Sequence, residues 1–528
     1  MIQSYKKNPA LATNYDSIIV GSGMGSLTTA AILAKEGQKV LVIEKHYTAG
    51  GFTHVFKRKG FEWDVGIHYI GEVQRPNSVI KKLFDYVSDS KLEWADMGDV
   101  YDKIIIGDKE YDFVKGTQNF KAKLTEYFPD EKGAIDNYVN LVFEAIKTSQ
   151  NFYISKAISP LMNLFIGKKM RKPFYEFSDK TTYEVLKSIT DNEELIKVLA
   201  GQYGDYGLPP KQSSFVMHAA VARHYFGGGS FPVGGSTQIA KTIDAVIEKA
   251  GGTILISADV EEIIISNNKA TGVKMIDGKI LTAKNIVSGA GIMNTYTKLL
   301  PSKTAEKHRL KKKLKRIKRS VSHACLYIGL EGSPEELKLP KTNYWIYPSD
   351  LNHDSCVDRY LNNLEEEFPV IYISFPSSKD PDWVNRYPGK STIDIITILP
   401  YEFFESWDGT KWMKRGDDYE ELKEKIAQRL LNVLYDKIPQ AKGKISHYEL
   451  STPLTTKHFV NYDNGEIYGL DHTPKRFRQR FLKPRTPIKN LYLTGQDIVT
   501  AGVAAALFSG VITSVAITGK NVMKQIMK

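Results

Sequence analysis

A glycine-rich turn followed by an acidic residue is the first pattern in this sequence whose spacing suggests chemistry. Glycines so spaced let the backbone turn tightly and approach a pyrophosphate, whose charge a following helix N-terminus stabilises. Glu44 lies about twenty residues downstream, where a carboxylate accepts hydrogen bonds from ribose hydroxyls. The pattern predicts a dinucleotide site, with Ser26 at the usual third glycine position. The turn consists of Gly21, Ser22, Gly23, Met24, Gly25 and Ser26.

A second glycine pair follows Glu44 closely. Gly50 and Gly51 would let the chain pass near a phosphate or ribityl group, with Phe52 and Thr53 beside them. This second pair is not part of the fingerprint of domains that bind only NAD, so it favours FAD. An ordinary glycine turn is the alternative. Three further residues complete the predicted contacts in this half of the site: Lys45, Val260 and Gly289.

The C-terminal region repeats the arrangement of strand, turn and helix. A strand at Asn490–Thr494 leads into Gly495 and Asp497, and Gly502 opens a helix of small residues that includes Val503 and Ala504. Asp497 could accept a hydrogen bond from a ribityl hydroxyl. A helix N-terminus aimed at a flavin would stabilise the negative charge of the reduced ring. We therefore predict that this segment holds the flavin half of FAD.

The elements that must position these residues are a short strand, a helix and a second strand. Ser17–Val20 and Val40–Ile43 are apolar strands, and a helix from about Ser26 to Glu36 joins them. This β-α-β order predicts a parallel strand pair in an α/β, Rossmann-type domain. The region from about Ile80 to Tyr225 reads as mostly helical.

Later elements alternate between helical and β-rich patterns. A helix is predicted from about Ser236 to Ala250, and another near Tyr419–Tyr435. The stretch from Thr342 to about Leu399 is β-rich. The remaining predicted strands are Ile254–Ile256, Val260–Ile265, Gly272–Ile276 and Asn285–Val287. The cofactor elements are spread along the chain, so we expect a discontinuous FAD-binding domain of residues 13–75, 232–300 and 485–528. An interleaved substrate-binding or cap domain would take residues 76–231 and 301–484.

Composition narrows the classes of partner. The 528 residues are 42% hydrophobic and 25% charged, and the net charge of +12 permits an anionic partner. We find no nucleic-acid module, so a membrane surface is the better expectation. Cys325 and Cys356 lack metal-ligand spacing, so no metal site is expected and a reducing compartment fits. Residues 1–12 lack the apolar core of a signal peptide. We therefore expect a cytoplasmic protein without a transmembrane helix.

Two segments could contact a membrane. Lys307–Arg319 holds nine basic residues and no acidic one, with apolar residues at helical spacing. These are Leu310, Leu314, Ile317 and Val321. The alternative is that this stripe docks on the protein's own core. In Ile154–Lys172, an apolar run precedes Lys168, Lys169, Arg171 and Lys172. Such a patch with a basic rim could draw a lipid from the bilayer.

With these motifs in place, the chain resembles the phytoene desaturase, carotenoid isomerase and retinol saturase superfamily of FAD enzymes, and within it the retinol saturases. The shared segments span nearly the whole chain, and Ser26 and Phe52 depart from the usual glycine and cysteine. They include AGG at 49–51, DVGIHYIG at 64–71, SSFVMHA at 213–219, HYFGGGSFPVGGST at 224–237, SGAGIMNTY at 288–296, LPKTNYWIYPSD at 339–350, FPSSKDP at 375–381 and LYLTGQDIVTAG at 491–502. The resemblance implies an amine-oxidase-like architecture.

The resemblance implies an FAD-dependent oxidoreductase that acts on a hydrophobic conjugated polyene. Saturation of one C=C bond would use a hydride from reduced flavin N5 and a proton from a side chain or water. The candidate proton donors are His68, Tyr69, Tyr206, His224 and Tyr225, each of which could instead be a packing residue. No second GxGxxG follows a strand, so electrons would come from transient NAD(P)H or a separate donor. The alternatives are a cis–trans isomerase, a desaturase, or a lipid carrier with a structural flavin.

Overall fold

The computed structural model describes residues 2–7, 12–350 and 352–527. Of residues 1–12, for which the sequence predicts no signal peptide, Met1 and residues 8–11 lie outside the described residues. Within the described ranges, eight strands form a mostly parallel sheet. They are Gln3–Ser4, Asn14–Val20, Val40–Ile43, Thr253–Ile256, Val260–Ser266, Lys269–Met275, Ile280–Ser288 and Leu491–Leu493. Ile280–Ser288 pairs in parallel with Asn14–Val20 and with Leu491–Leu493. The two predicted cofactor motifs therefore follow two strands that both pair with Ile280–Ser288.

The predicted β-α-β unit is confirmed. Asn14–Val20 and Val40–Ile43 pair in parallel, and their connecting helix runs over Met24–Lys35. This helix is built from small and apolar residues and is buried from Met24 to Ala34, because helices Thr237–Lys249 and Val503–Thr518 cover it. It ends where Gly37 adopts a left-handed conformation with φ of 83°.

A second, seven-stranded sheet lies beyond the first. Its strands are Val100–Ile106, Lys109–Val114, His323–Glu331, Asn343–Tyr347, Ile371–Ser374, Lys390–Ile398 and Ile445–Ser451. Three of these strands lie in the stretch from Thr342 to Leu399, as predicted, but His353–Asn362 within that stretch is a helix. The prediction of mostly helix from Ile80 is wrong over residues 94–114. There, β-branched residues form a hairpin whose turn contains Gly107, and Val100–Ile106 pairs in parallel with Asn343–Tyr347.

Helices fill most of the remaining middle of the chain, as predicted. They are Val79–Ser88, Thr117–Tyr127, Lys132–Ala157, Pro160–Ser178, Thr182–Lys187, Glu193–Leu199 and Phe215–Tyr225. Further along, His353–Asn362, Asp417–Lys437 and Pro453–Val460 are helical. Small β elements link these layers: a hairpin of Val55–Arg58 and Phe61–Asp64, and a three-stranded sheet of Ile70–Gly71, Trp94–Asp96 and Gly229–Pro232.

The basic segment Lys307–Arg319 does not form the predicted amphipathic helix. Short helices Ser302–Lys307 and Leu310–Leu314 are separated at Arg309, which has a positive φ of 52°. Leu310 and Leu314 are buried in the same core cluster as the strands of the first sheet, with Ile317 packed against them. This segment's apolar residues therefore stabilise the protein's own core, which is the alternative stated above.

Among the residues that the structure describes, no helix combines the length and the apolar character needed to cross a bilayer.

Candidate active site

One cavity of about 910 Å³ runs along the carboxyl ends of the first sheet's parallel strands. All the predicted cofactor contacts line it except Asp497. They are Gly21, Ser22, Gly23, Met24, Gly25, Ser26, Glu44, Lys45, Gly50, Gly51, Phe52, Thr53, Val260, Gly289, Gly495, Gly502, Val503 and Ala504. The fold therefore brings three segments that are far apart in sequence to one site.

Glu44 is fixed beside the glycine-rich turn. Its carboxylate accepts hydrogen bonds from the Ser22 N–H at 2.8 Å and the Ser22 hydroxyl at 2.7 Å. The His46 N–H donates to the other carboxylate oxygen at 2.8 Å. The Ser22 hydroxyl oxygen in turn accepts from the Gly50 N–H at 3.0 Å. These bonds hold the acid and both glycine motifs in one arrangement at the cavity wall.

At two glycine positions of this wall the packing leaves too little room for a side chain. A Cβ atom on Gly51 would lie 3.0 Å from the Gly23 Cα, and Gly51 also needs its positive φ of 57°. A Cβ on Gly289 would lie 2.0 Å from the Ser26 hydroxyl oxygen. The close approach usually assigned to a third glycine is therefore provided here by Gly289, which leaves room for Ser26.

The C-terminal helix Val503–Thr518 presents its N-terminus to the cavity. It starts after Gly502, which has a φ of 94° and offers no side-chain cap, so the first N–H groups remain available. The structure does not bring the Asp497 carboxylate to this wall. One of its oxygens accepts from the Ile292 N–H at 2.7 Å, because the turn directs the side chain toward the short helix Ile292–Asn294. Gln496 lines the cavity instead.

These features fit a dinucleotide cofactor. The helix Met24–Lys35 begins at Gly23 without a side-chain cap, which leaves N–H donors for a pyrophosphate. Glu44 offers a ribose acceptor, and the second uncapped helix N-terminus lies at the other end of the glycine-lined wall. These N–H donors and the Glu44 carboxylate suit the phosphates and the hydroxyls of a dinucleotide such as FAD.

The cavity continues past the glycines into a region between the two large sheets. Its walls there are mostly aliphatic and aromatic, which suits an elongated apolar molecule. They include Ile146 and Tyr153 of helix Lys132–Ala157, Val216 and Met217 of helix Phe215–Tyr225, and Trp345, Val370, Ile396 and Ile398 of the second sheet.

The structure brings four of the five candidate proton donors to this cavity: His68, Tyr69, His224 and Tyr225. The Nε2 atom of His224 accepts from the Gly71 N–H at 2.8 Å, so this ring anchors a strand. Tyr225 stacks on Tyr69 with ring centroids 4.1 Å apart. Tyr206 does not line the cavity. Its hydroxyl lies 3.3 Å from Nδ1 of the buried His218.

Sequence reasoning missed a set of polar residues behind Tyr69, which we call the buried polar cluster. It comprises Tyr69, Asp102, Gln202, Asp205, Asn343 and Lys379. Single polar residues in apolar surroundings, such as Asp102 in the strand Val100–Ile106, were the available signal. The members come from distant parts of the chain, so spacing gave no indication that they meet.

Asp102 is the most heavily bonded member. It is inaccessible to solvent and accepts from Tyr69 at 2.9 Å, Gln202 at 2.7 Å and Asn343 at 2.9 Å. Burial raises the pKa of Asp102 to about 6, while these three donors and nearby Lys379 act in the opposite direction. Asp102 is therefore the cluster's ionised carboxylate near neutral pH.

Lys379 is the basic member of the cluster. It is fully buried and donates to the Ser374 hydroxyl at 2.7 Å, the His68 carbonyl at 3.0 Å and the Asn343 amide oxygen. Burial lowers the pKa of Lys379 to about 7. Its hydrogen bond to the His68 carbonyl links the cluster to the cavity wall.

Within the described residues, neither ring nitrogen of His68 has a hydrogen-bond partner. Its Nδ1 lies 3.6 Å from a carboxylate oxygen of the fully buried Asp394. Burial lowers the pKa of His68 to about 3, so the ring is neutral. A neutral imidazole facing the cavity is available to a ligand, but it is a weak acid.

Comparisons with known proteins agree with this site. The family model described as an NAD(P)-binding Rossmann-like domain matches residues 19–87. The chain is 36% identical over 525 residues to the all-trans-retinol 13,14-reductase of Danio rerio, covering 96% of this chain and 86% of that protein. It is 28% identical to the chloroplastic prolycopene isomerase 1 of an Oncidium hybrid cultivar, covering 95% and 83%.

The fold also matches solved structures. A putrescine oxidase with bound putrescine aligns with a TM-score of 0.60 at 14% identity, covering 96% of this chain and 99% of that chain. The likeness confirms the predicted amine-oxidase-like α/β architecture. Together with the identity to the reductases over nearly the whole chain, it shows that this chain belongs to the retinol saturase branch of the phytoene desaturase and carotenoid isomerase family of FAD-dependent oxidoreductases.

Proposed function

We propose that this protein binds FAD and saturates one C=C bond of a retinoid- or carotenoid-like polyene. The observation that carries the proposal is a continuous cavity, which joins the glycine-lined dinucleotide wall to a region with aliphatic and aromatic walls that suit an elongated apolar molecule. A substrate in that region would lie directly against the flavin end of the cofactor. The relatives named for a retinol reductase and a prolycopene isomerase support a polyene as substrate.

Each half of the cavity has its own task. When bound, FAD in its reduced form would supply a hydride to the polyene. The backbone at Gly21–Gly25 and Glu44 would hold the nucleotide half, and the N-terminus of helix Val503–Thr518 would favour an anionic flavin. The apolar walls would exclude water and fix one C=C bond in reach of the flavin. The proton would come from a group on the cavity wall.

The mass of the product distinguishes the reactions open to this fold. The dithionite-reduced holoprotein is mixed anaerobically with all-trans-retinol, and the product is analysed by mass spectrometry while flavin absorbance is followed. We expect a gain of two hydrogens together with flavin reoxidation. An unchanged mass with altered double-bond geometry would indicate an isomerase. A loss of two hydrogens when the oxidised holoprotein is used instead would indicate a desaturase. A flavin that no polyene reoxidises would support the carrier alternative.

The supply of electrons is a separate proposal. We infer that a dihydronicotinamide acting transiently, or a separate reductase, reduces the flavin, since the sequence has a single dinucleotide motif. Stopped-flow reduction by NADH or NADPH tests this. Failure of both, with normal reduction by dithionite, would favour a separate protein donor. We also propose the division stated above, with residues 13–75, 232–300 and 485–528 as the cofactor domain.

We propose that the helix pair around Pro160 contacts an anionic membrane. The apolar residues here are unusually exposed, and Leu164 and Phe165 each retain 76% of their accessible surface. Lys168, Lys169 and Lys172 are exposed directly after them. The preceding helix Lys132–Ala157 contributes Ile146 and Tyr153 to the cavity, so the patch follows directly in sequence on a helix that lines the substrate region.

Liposome flotation tests this contact. Replacing Leu164 and Phe165 by Glu should abolish flotation with vesicles that contain anionic lipid at low salt. A matched control replaces Ile276 and Ile280 by Glu, because these are also exposed apolar residues but lie on a hairpin of the first sheet. Flotation that is equal in wild type and the Leu164–Phe165 variant, or absent in wild type, would contradict the proposal.

A further inference from the structure

Tyr69 has one hydroxyl hydrogen but two carboxylate neighbours. Its oxygen lies 2.9 Å from Asp102 Oδ2 and 3.2 Å from Asp205 Oδ2. A hydroxyl donates to one acceptor, so a hydrogen bond to the second carboxyl group needs a proton on that group. The shorter contact marks Asp102 as the acceptor. A proton on Asp205 would make the longer contact a hydrogen bond donated by Asp205 to the Tyr69 oxygen.

The surroundings of the two acids support the same assignment. Asp102 accepts from two amide groups besides Tyr69 and lies near the buried ammonium of Lys379. Within the described residues, Tyr69 is the hydrogen-bond partner of Asp205. Burial, and then the neighbouring Asp102 carboxylate, raise the pKa of Asp205 well above its usual value. Two close carboxyl groups in a buried site thus differ in protonation, with the proton on Asp205.

Asp205 differs from Asp102 in one further respect: it reaches the cavity. Asp102 is enclosed, whereas Asp205 is only partly buried and lines the apolar region together with Tyr69 and Tyr225. The turn that carries it, Tyr203–Asp205, is firmly held. The Tyr203 hydroxyl donates to the Pro369 carbonyl at 3.1 Å, and the Tyr468 hydroxyl donates to the Gly204 carbonyl at 2.7 Å.

We propose that Asp205 is the catalytic acid that protonates the polyene, with Tyr69 and Asp102 as positioning residues. This rests on the proposed saturase function. Other groups on this wall are poorer donors. His68 and His224 are neutral imidazoles, and burial raises the pKa of Tyr69 well above its usual value. A neutral carboxylic acid in an apolar site is the strongest acid available there.

The step balances as follows. The hydride from the reduced flavin forms a C–H bond at one carbon of the C=C bond, and its electron pair becomes that bond. The π electrons of the C=C bond form the second C–H bond with the proton of Asp205. The polyene is reduced by two electrons, the flavin is oxidised by two, and Asp205 is left as a carboxylate. Solvent returns its proton, and a two-electron reductant such as a dihydronicotinamide restores the reduced flavin.

Three holoproteins test the proposal in a single turnover: wild type, Asp205→Asn and Asp205→Glu. Each is reduced with dithionite, and the reoxidation of its flavin by all-trans-retinol is followed. Asp205→Asn keeps the shape but not the proton, so we expect reoxidation on the order of 100-fold slower or more, with normal flavin content. Asp205→Glu keeps an acid in a less ideal position and should be at least tenfold faster than Asp205→Asn.

A purely structural role for Asp205 predicts the reverse order, because Asn is the better isostere. Asp205→Asn within threefold of wild type, or Asp205→Glu slower than Asp205→Asn, would overturn the proposal. If Asp205→Asn does not retain its flavin, the test rests on Asp205→Glu alone. A rate of flavin reoxidation below about a hundredth of the wild-type rate would then contradict the acid role. The matched control is Asp354→Asn, since Asp354 is also buried but lies outside the cavity.

Deuterium labelling provides an independent readout. In D₂O, the dithionite-reduced flavin takes its N5 hydrogen from the solvent and the Asp205 carboxyl exchanges its proton, so the wild-type product should carry two deuteriums, one at each carbon of the former C=C bond. A wild-type protein whose reduced flavin no polyene reoxidises would refute the proposed function itself. Normal turnover by both wild type and Asp205→Asn would leave that function intact and remove only Asp205 from the mechanism.

Discussion

Gly25 and Gly495 lie in direct contact, although 470 positions separate them: a Cβ atom on Gly25 would be 2.7 Å from the Gly495 backbone nitrogen. It would also be 2.6 Å from the Ser509 hydroxyl oxygen, which accepts from that same nitrogen at 2.8 Å. The turn at the nucleotide end therefore packs directly on the turn at the flavin end. Each turn fixes the position of the other.

Replacement of Gly25 by Ala should disturb both turns. The new methyl group would collide with backbone atoms that cannot rotate away, so we expect a loss of roughly 2–4 kcal/mol in stability, together with lower flavin content. Thermal unfolding of the apoprotein and holoprotein measures the effect. Gly133→Ala is the matched control, because a Cβ there meets no atom within 4 Å. Equal midpoints for Gly25→Ala and Gly133→Ala would contradict the packing described here.

Gly23→Ala should have a different effect. A Cβ on Gly23 meets no protein atom within 4 Å, and the φ of −63° suits alanine. The apoprotein should therefore keep its unfolding midpoint. The methyl group would project where a pyrophosphate approaches the helix N-terminus, so flavin affinity should fall at least tenfold, or about 1.4 kcal/mol. Titration of apoprotein with FAD by fluorescence quenching measures this, and unchanged affinity would place the phosphates elsewhere.

Ser26 and Gly289 form a pair that a double substitution can test. Gly289→Ala alone should be strongly destabilising, since its Cβ would lie 2.0 Å from the Ser26 hydroxyl oxygen. The next neighbours of that Cβ are at 3.4 Å, an ordinary contact. Adding Ser26→Gly should therefore restore most of the lost stability. Thermal midpoints of the two single variants and the double variant give the coupling, and additive losses would refute the explanation.

His218 provides a prediction about pH. Its ring nitrogens lie 2.8 Å from the Tyr138 hydroxyl and 3.3 Å from the Tyr206 hydroxyl, and burial lowers the pKa of His218 to about 3. Below about pH 6.5, His218 takes up a proton in the unfolded chain but not in the folded protein, so acidification lowers the free energy of unfolding. From pH 6.5 to 4.5 this cost is about 2–3 kcal/mol.

The variant His218→Gln has no imidazole to titrate at this position, so this loss of stability on acidification does not occur in it. It should be less stable than wild type at pH 7.5, because it loses ring packing and hydrogen bonds. The gap in unfolding midpoint should narrow as the pH falls to 4.5. The buried carboxyl groups titrate in both proteins, so they cancel in this comparison. A gap that stays constant or widens would mean that His218 is protonated in the folded protein.

Local patterns in the sequence were sufficient to predict most of the residues that line the glycine-rich wall of the cavity. Turn, helix start and acid lie within thirty residues of one another in Gly21–Glu44, so their spacing encodes their geometry. Asp497 shows the limit of such reasoning. Its neighbours in sequence suggested a ribityl contact, but the Ile292 N–H, more than two hundred positions away, binds its carboxylate.

The buried polar cluster could not be predicted for the same reason. Asp102 and Asn343 meet because the second sheet pairs Val100–Ile106 with Asn343–Tyr347, and Asp205 and Lys379 come from separate short helical turns. The strands at 94–114 were themselves misread as helix, so the element that carries Asp102 was missing from the prediction. Long-range pairing decides such sites, and the periodicity of a single segment does not report it.

The order of the strands has a consequence for how the protein is made. Leu491–Leu493 completes the cofactor wall roughly 450 residues after Val40–Ile43 has left the ribosome. At typical rates of synthesis, the nascent chain would wait on the order of 20–90 s with its nucleotide-binding turn unopposed. The full set of contacts proposed for the flavin would therefore exist only in the finished chain, and a chain truncated before residue 490 would carry half of the proposed binding site.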